Sequence, residues 1–299
     1  MNDLYIISTL SNMHVGSGNV SFGVIDNLIQ RDVISDHPNI NASGLKGALR
    51  EFFNHYYPIR NEKNIEDEKK KERFITSIFG SSPKEKEELK SGAFRFFDAN
   101  LLSMPIRSNK TSYLMATCSD IINDILGKID DFAVADIDEI KKVLSNLQNK
   151  IPEKNVWVFD EKFNNCVLED FDFNFTTIDK SIEFKDDLPL LEKLFGTPLV
   201  LLNNIDFKTI CGDDYLPVIA RNNLEDGKSQ NLWYEQVLPR LSRLYCIIMK
   251  DTADSADITF FDSKLNENII QIGANASIGY GFCKMRLLSN LLKINNHEN

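Results

Sequence analysis

Leu4-Tyr5-Ile6-Ile7, an apolar run set between polar neighbours, predicts a first strand over residues 3–9. Met13-His14-Val15-Gly16-Ser17-Gly18 and Phe22-Gly23-Val24-Ile25-Asp26 follow. Three glycines within eight residues predict a loop with unusual backbone angles or a close approach to a ligand. Leu28 to Ile34 reads as another short strand, and Pro38 breaks the chain after it. From Asn41 to Phe53 the period becomes helical. Leu45, Leu49, Phe52 and Phe53 share one face, Lys46 and Arg50 another, and Ser43 is the expected N-cap.

Residues 60–92 form a charged tract, expected as a helical insertion with solvated faces: helix, loop, helix. Ala93 to Ala99 predicts a strand. Residues 119–149 predict helix, with Ile121, Ile122, Ile125 and Leu126 as an apolar stripe. Asn155 to Phe159 and Phe171 to Phe175 read as strands, so residues 100–195 form a partly helical insertion. Pro198 to Leu202 and Leu216 to Ala220 follow as strands. The Asp226-Gly227 turn pair and the returning Leu232-Trp233-Tyr234 make 213–235 a predicted hairpin. Leu244 to Met249 is a core strand, Asn268 to Ile272 leads into a glycine-rich segment, and Phe282 to Leu287 is the last strand. Strands and helices mix without strict alternation, so the class is α+β, one domain over residues 1–299.

With 299 residues, 42% apolar and 26% charged, the chain can bury a sizeable core. Its 34 basic and 44 acidic residues give a net charge of −10. That excludes a uniformly basic coat but leaves room for one basic groove. No apolar run approaches the ~18 residues of a membrane span, and the start lacks a basic lead-in and signal core, so no membrane association is expected. The five cysteines, Cys118, Cys166, Cys211, Cys246 and Cys283, are scattered and odd in number, with no CxxC pair. Buried reduced thiols in a cytoplasmic protein are expected.

Three constellations could carry chemistry. Gly273, Gly279 and Gly281 form a loop whose amides could approach phosphates, at the start of an acid-free stretch that carries Lys284, Arg286 and Lys293. Neither a P-loop nor a dinucleotide-binding fingerprint is present. Ser43 stands at the amide-rich end of the predicted helix, Lys46 and Arg50 share a face four residues apart, and together they could hold two successive backbone phosphates. Asp26 and His14 lie on or beside the first glycine-rich loop, where a carboxylate could bind a divalent metal or position a hydroxyl, and an imidazole could move a proton. The plain alternatives are a glycine turn, a capped solvated helix and a satisfied polar pair. No GxSxG or HExxH motif exists.

Taken in order, Met13 to Gly18, Gly23 to Asp26, Gln30-Arg31, Ser43 to Arg50, Leu232 to Pro239 and Gln271 to Gly281 resemble the CRISPR RAMP superfamily. Within it they resemble the repeated backbone subunit of the Cmr (type III-B) effector complex. The resemblance covers residues 1–60 and 200–290, with Ser43-Gly44 where that family often has two serines. It implies a ferredoxin-like, RRM-related core with insertions, including a β-hairpin thumb at 213–235. It implies a subunit that polymerises as a helical filament along a guide RNA, beside other Cmr subunits. It also implies cutting of complementary target RNA at regular intervals with a divalent metal, Mg2+ or Mn2+. Asp26 is then the catalytic and metal-binding residue, with His14 and Glu235 as further catalytic candidates. Gly16, Gly18, Arg31, Ser43, Lys46, Arg50, Gly273, Asn275, Gly279 and Gly281 are the expected RNA contacts. Two other readings remain: a RAMP subunit that binds guide RNA without cutting, and an unrelated α+β binding protein.

Overall fold

The apolar runs become strands of one large sheet and the amphipathic stripes become helices on its faces. The computed structural model describes residues 2–18, 23–57, 65–81, 90–148, 155–169, 176–226, 228–251 and 254–293. In chain order the first half holds β1 (Asn2–Thr9), β2 (Asn39–Ile40), α1 (Ala42–Tyr56), α2 (Ile65–Phe79), β3 (Phe94–Phe96), β4 (Ala99–Ile106), β5 (Leu114–Cys118), α3 (Ser119–Asp131) and α4 (Asp138–Gln148). The middle holds β6 (Val156–Val158), β7 (Thr177–Asp179), α5 (Leu188–Phe195), β8 (Leu199–Leu202) and α6 (Asn204–Ile210). The last part holds β9 (Val218–Glu225), β10 (Lys228–Gln236), β11 (Arg243–Lys250), α7 (Ser255–Glu267), β12 (Ile269–Gln271), β13 (Phe282–Leu287) and α8 (Leu288–Lys293).

The main sheet runs β12-β13-β1-β11-β4-β5-β8-β6-β7, with β3 continuing the line of β4 along β11. The pairs β13–β1, β1–β11 and β11–β4 are antiparallel, while β5–β8 and β6–β7 are parallel. The mixed α+β class expected from the sequence is what the chain adopts. β9 and β10 form a two-stranded ribbon off the main sheet, tied at its base to Asn27 by a bridge at Glu235.

β1 is buried on both faces (Leu4, Tyr5, Ile6 and Ile7), as a central strand requires. On one side Phe53 of α1 stacks on Phe261 of α7 at 4.9 Å, and Phe74, Phe79 and Phe94 complete the cluster. Lys250 is buried beside these rings, with its Nζ 2.6 Å from both Asp3 and Asp262, and Tyr5 donates its hydroxyl to Asp262. A buried cation with two acids is tolerated because each charge has a partner.

Several expectations need correction. Ser43 does not cap α1. The cap residue is Asn41, whose side chain makes no capping bond, and the Ala42 amide donates instead to Asp98 Oδ1 at 2.6 Å. Asp98 can do so because the strand expected over 93–99 breaks between β3 and β4. Residues 28–34 form isolated bridges at Ile29 and Arg31 and then a turn, not a strand. The charged tract contributes α2, while the second helix expected near 84–90 and the strand expected at 171–175 lie outside the described residues, apart from Lys90.

Candidate functional site

Three consecutive residues at the end of β10 gather the candidate catalytic side chains. The Tyr234 amide donates to Asp26 Oδ2 at 2.8 Å, and the Tyr234 carbonyl accepts from the amides of Asp26 and Asn27, both at 3.1 Å. Asp26 is nevertheless exposed, so its second oxygen stays open to solvent or ligand. Glu235, bridged to Asn27, is 6% exposed. Its Oε1 accepts from Trp233 Nε1 at 2.8 Å, and its Oε2 accepts from Arg221 at 3.1 Å and from Asn275 at 2.8 Å. The Gln236 carbonyl accepts from His14 Nδ1 at 2.7 Å. A carbonyl cannot donate, so Nδ1 carries a proton, and in the neutral ring the lone pair sits on Nε2, facing Gly16.

The glycine-rich C-terminal loop closes on the same place. Ala274 donates to the His14 carbonyl at 2.9 Å and Gly281 to the Asn12 carbonyl at 2.8 Å. Gly273 has φ +92°, and a Cβ there would lie 2.4 Å from the His14 oxygen. At Gly281 (φ +75°) a Cβ would lie 2.0 Å from the Ile272 oxygen. These two glycines are needed for packing, whereas around Gly279 (φ +85°) the space is open. Asn275 is also left-handed, at φ +65°, which turns its amide toward Glu235.

The other expected contacts divide. Gly16 and Gly18 are exposed, at the edge of residues 19–22, which lie outside the described residues. Arg31 is engaged: its guanidinium donates to Asp213 at 2.7 Å and to the Asp36 carbonyl at 2.8 Å. A groove of about 570 Å³ runs between α1 and the β12–β13 end. Ser43, Gly44, Gly47 and Glu51 line its helix side, and Gln271 and Gly273 the other. It joins α1 to the glycine loop, but Lys46 and Arg50 do not line it. They stand half-buried elsewhere on the helix surface.

The sequence profile of the RAMP superfamily matches residues 6–284. This chain belongs to the RAMP superfamily. It is 29% identical over 299 residues to the CRISPR system Cmr endoribonuclease Cmr4 of Pyrococcus furiosus, covering 93% of each chain. Among solved structures it is similar to a chain of the type III-B Cmr-beta complex bound to cognate target RNA, with TM-score 0.76, 20% identity and 97% and 98% of the two chains covered. It is also similar to oligomeric Cmr4 from Pyrococcus furiosus, with TM-score 0.67, 22% identity and 96% and 97% covered. These likenesses establish the RAMP fold over almost the whole chain.

Sequence reasoning missed several residues that hold this RAMP site together. Gln236 is fully buried. Its amide donates to Asp213 Oδ1 at 3.1 Å and its Oε1 accepts from the Ile29 amide at 3.3 Å, tying the Asp26 loop to the segment before β9. Arg221 and Trp233 are the strand partners that fix Glu235. Trp233 and Gln236 left a trace in sequence as members of the Trp-Tyr-Glu-Gln run, while Arg221 left none. Among the described residues no group of three or more His, Cys, Asp or Glu could hold a metal. At this site, among the described residues, Asp26 is exposed and only its Oδ2 accepts a hydrogen bond. That suits a hard cation that takes one carboxylate and completes its shell with water and phosphate oxygens. All five cysteines are free and buried, and burial raises the Cys118 thiol to about 12. No helix among the described residues is long and apolar enough to cross a membrane.

Proposed function

We propose that this RAMP chain is the repeated backbone subunit of a type III-B CRISPR effector, acting in the cytoplasm as an endoribonuclease on target RNA paired to the guide. The observation that carries the reading is the fixing of one exposed carboxylate, Asp26, to the base of the β9–β10 ribbon, beside a glycine loop and a groove along α1. The named relatives are a Cmr endoribonuclease and a chain of a target-bound type III-B complex, which supports the same assignment.

The strand order β13-β1-β11-β4, with α1 after β1 and α7 after β11, supports a ferredoxin-like core. Its parallel crossovers carry the helices, as that arrangement requires. The β9–β10 ribbon, which lies off the main sheet, is then the thumb that parts the guide–target duplex at one place per subunit. Self-association along the guide multiplies the weak binding of an acidic subunit. The glycine loop and the α1 groove hold the RNA backbone, and sequence is read by base pairing with the guide.

In the cutting step Asp26 positions the target ribose 2′-hydroxyl, its free oxygen accepting the proton, for attack on the adjacent phosphodiester. The bond from the 2′-oxygen to phosphorus forms as the bond to the next nucleotide's 5′-oxygen breaks, giving a 2′,3′-cyclic phosphate and a 5′-hydroxyl that takes its proton from solvent. Where the same oxygen instead holds Mg2+ or Mn2+, the ion would supply polarisation of the phosphate and stabilisation of developing charge, and the 2′-proton would pass to solvent. His14 and Glu235 are buried and engaged, so their part is to position: His14 fixes Gln236, and Glu235 joins the ribbon to Asn275. The second reading, guide binding without cutting, draws support from the lack, among the described residues, of any group of three or more His, Cys, Asp or Glu that could hold a metal.

The test is incubation of the assembled particle with labelled complementary RNA, with Mg2+ and with chelator. Asp26→Asn should retain target binding and lose at least about a hundredfold in cutting. Cutting that persists in Asp26→Asn removes Asp26 from catalysis, and wild-type particle that binds but never cuts supports the second reading.

A further inference from the structure

Lys284 and Arg286, from the acid-free C-terminal stretch, stand apart from the α1 groove. Register places Ser8 opposite Lys284 on one side and opposite Arg243 on the other, with Ile6 opposite Arg286. Residues paired across a ladder share a face. Cys283 and Met285, one residue out of phase, are buried on the other face. Above the Ser8 face, beside α5 and α8, opens a cavity of about 420 Å³. Four cations line it, Lys193, Arg243, Lys284 and Arg286, with one carboxylate, Glu192, and the apolar side chains of Ile6, Pro189 and Leu291.

Part of this charge is fixed in place. Arg243 donates to the carbonyls of Glu192 and Lys193 at the end of α5, and Lys193 Nζ donates to the Leu292 carbonyl at 2.9 Å. Glu192 Oε1 accepts the Thr197 hydroxyl at 2.6 Å. Burial, and to a smaller extent the Arg286 charge, lower Arg243 to about 10, against the opposing effects of Tyr113 and Glu192. Lys284 and Arg286 have no acid partner among the described residues. Gathering four cations around one acid, in a chain of net charge −10, costs repulsion that an anion would relieve.

We propose that this cavity binds the phosphate of a nucleotide, either free or as one link of an RNA strand. Lys284 and Arg286 reach the phosphate oxygens, and Arg243 and Lys193 supply a fixed positive floor. Ile6, Pro189 and Leu291 receive the sugar and base. The volume fits a nucleotide, where a single carboxylate side chain would leave most of it empty. The site lies on its own face of the sheet and uses none of Asp26, His14 or the glycine loop.

The test is calorimetric titration of the full chain at low salt with adenosine monophosphate, with adenosine, and with a single-stranded RNA oligomer. The variants are Lys284→Ala with Arg286→Ala, and Lys284→Arg with Arg286→Lys, both checked for an unchanged melting temperature. The alanine pair should weaken binding about tenfold or more, while the charge-keeping pair stays within about threefold. Adenosine should give no binding. Loss for both the monophosphate and the oligomer identifies a free-nucleotide site, and loss for the oligomer alone identifies a strand contact. Binding of both probes unchanged within twofold in the alanine pair overturns the proposal, as does equal weakening in the charge-keeping pair.

Discussion

Asp26 and Tyr234 hold each other at both ends of the residue pair: the Tyr234 amide donates to Asp26 Oδ2, and the Asp26 amide donates back to the Tyr234 carbonyl. An exposed carboxylate on a glycine-rich loop would otherwise sample many positions, and any fixed geometry at a reacting atom would be lost. Anchored to β10, it moves with the ribbon.

This clasp separates two substitutions that would abolish the same charge. Asn keeps an acceptor for the Tyr234 amide, whereas Ala does not. Hydrogen exchange of the Tyr234 amide should stay near wild type in Asp26→Asn and rise about fivefold in Asp26→Ala, the loss of a bond worth about 1 kcal/mol. Equal exchange in the two variants would mean that the carboxylate does not hold the loop.

Glu235 gives a second prediction. Its carboxylate accepts from Trp233, Arg221 and Asn275 while nearly excluded from water. Glu235→Ala leaves the Arg221 charge half-buried without its acid and should cost about 2–3 kcal/mol, read from urea midpoints. Glu235→Gln keeps the Oε1 acceptor and should cost about 1 kcal/mol. In a double-mutant cycle with Arg221→Ala, a coupling below a few tenths of a kcal/mol would dissolve the link.

The glycines separate packing from binding. Gly273→Ala and Gly281→Ala place a Cβ against the His14 and Ile272 carbonyls at positive φ and should each destabilise by more than about 2 kcal/mol. Gly279→Ala meets no neighbour, so only its left-handed backbone is strained, by about 1 kcal/mol. If the loop accepts RNA phosphates at Gly279, that mild variant should still weaken RNA binding. Unchanged RNA binding would leave Gly279 a turn residue only.

What could be read in the sequence follows from how local the signal is. β1, α1, β11 and β13 carry dense apolar runs or a clean helical stripe, and they were predicted within a few residues. The Asp226-Gly227 pair announced the ribbon because one dipeptide dictates the turn. By contrast β4, β5 and α7 were missed. Ala99 to Cys118 mixes Ser, Asn, Lys and Pro with its apolar residues, and only pairing with β11 and β8 makes strands of it. Within the site, Asp26 and Gly273 could be singled out by type and order. Gln236, Arg221 and Asp98 could not, because their roles depend on partners more than 10 residues away in the chain.

His37 supplies a pH dependence on the segment that carries Arg31. Its ring is buried and meets Phe207 edge-on at 5.3 Å. Burial lowers its pKa from 6.5, and Lys208 adds to this, while Asp120, Asp32 and Asp36 pull the other way. The folded chain therefore refuses a proton that the unfolded chain accepts. The His37 contribution to stability is whole above pH 6.5, falls as pH drops below that value, and levels off once the folded ring also protonates. His37→Gln cannot titrate, so its urea midpoint should decline less than wild type between pH 7.5 and 5.5. Acidic groups that titrate in the same window act on both proteins and cancel in the difference. A constant gap between the two midpoints across that range would mean that His37 keeps its ordinary pKa, and that the turn before β2 tolerates a charged imidazole.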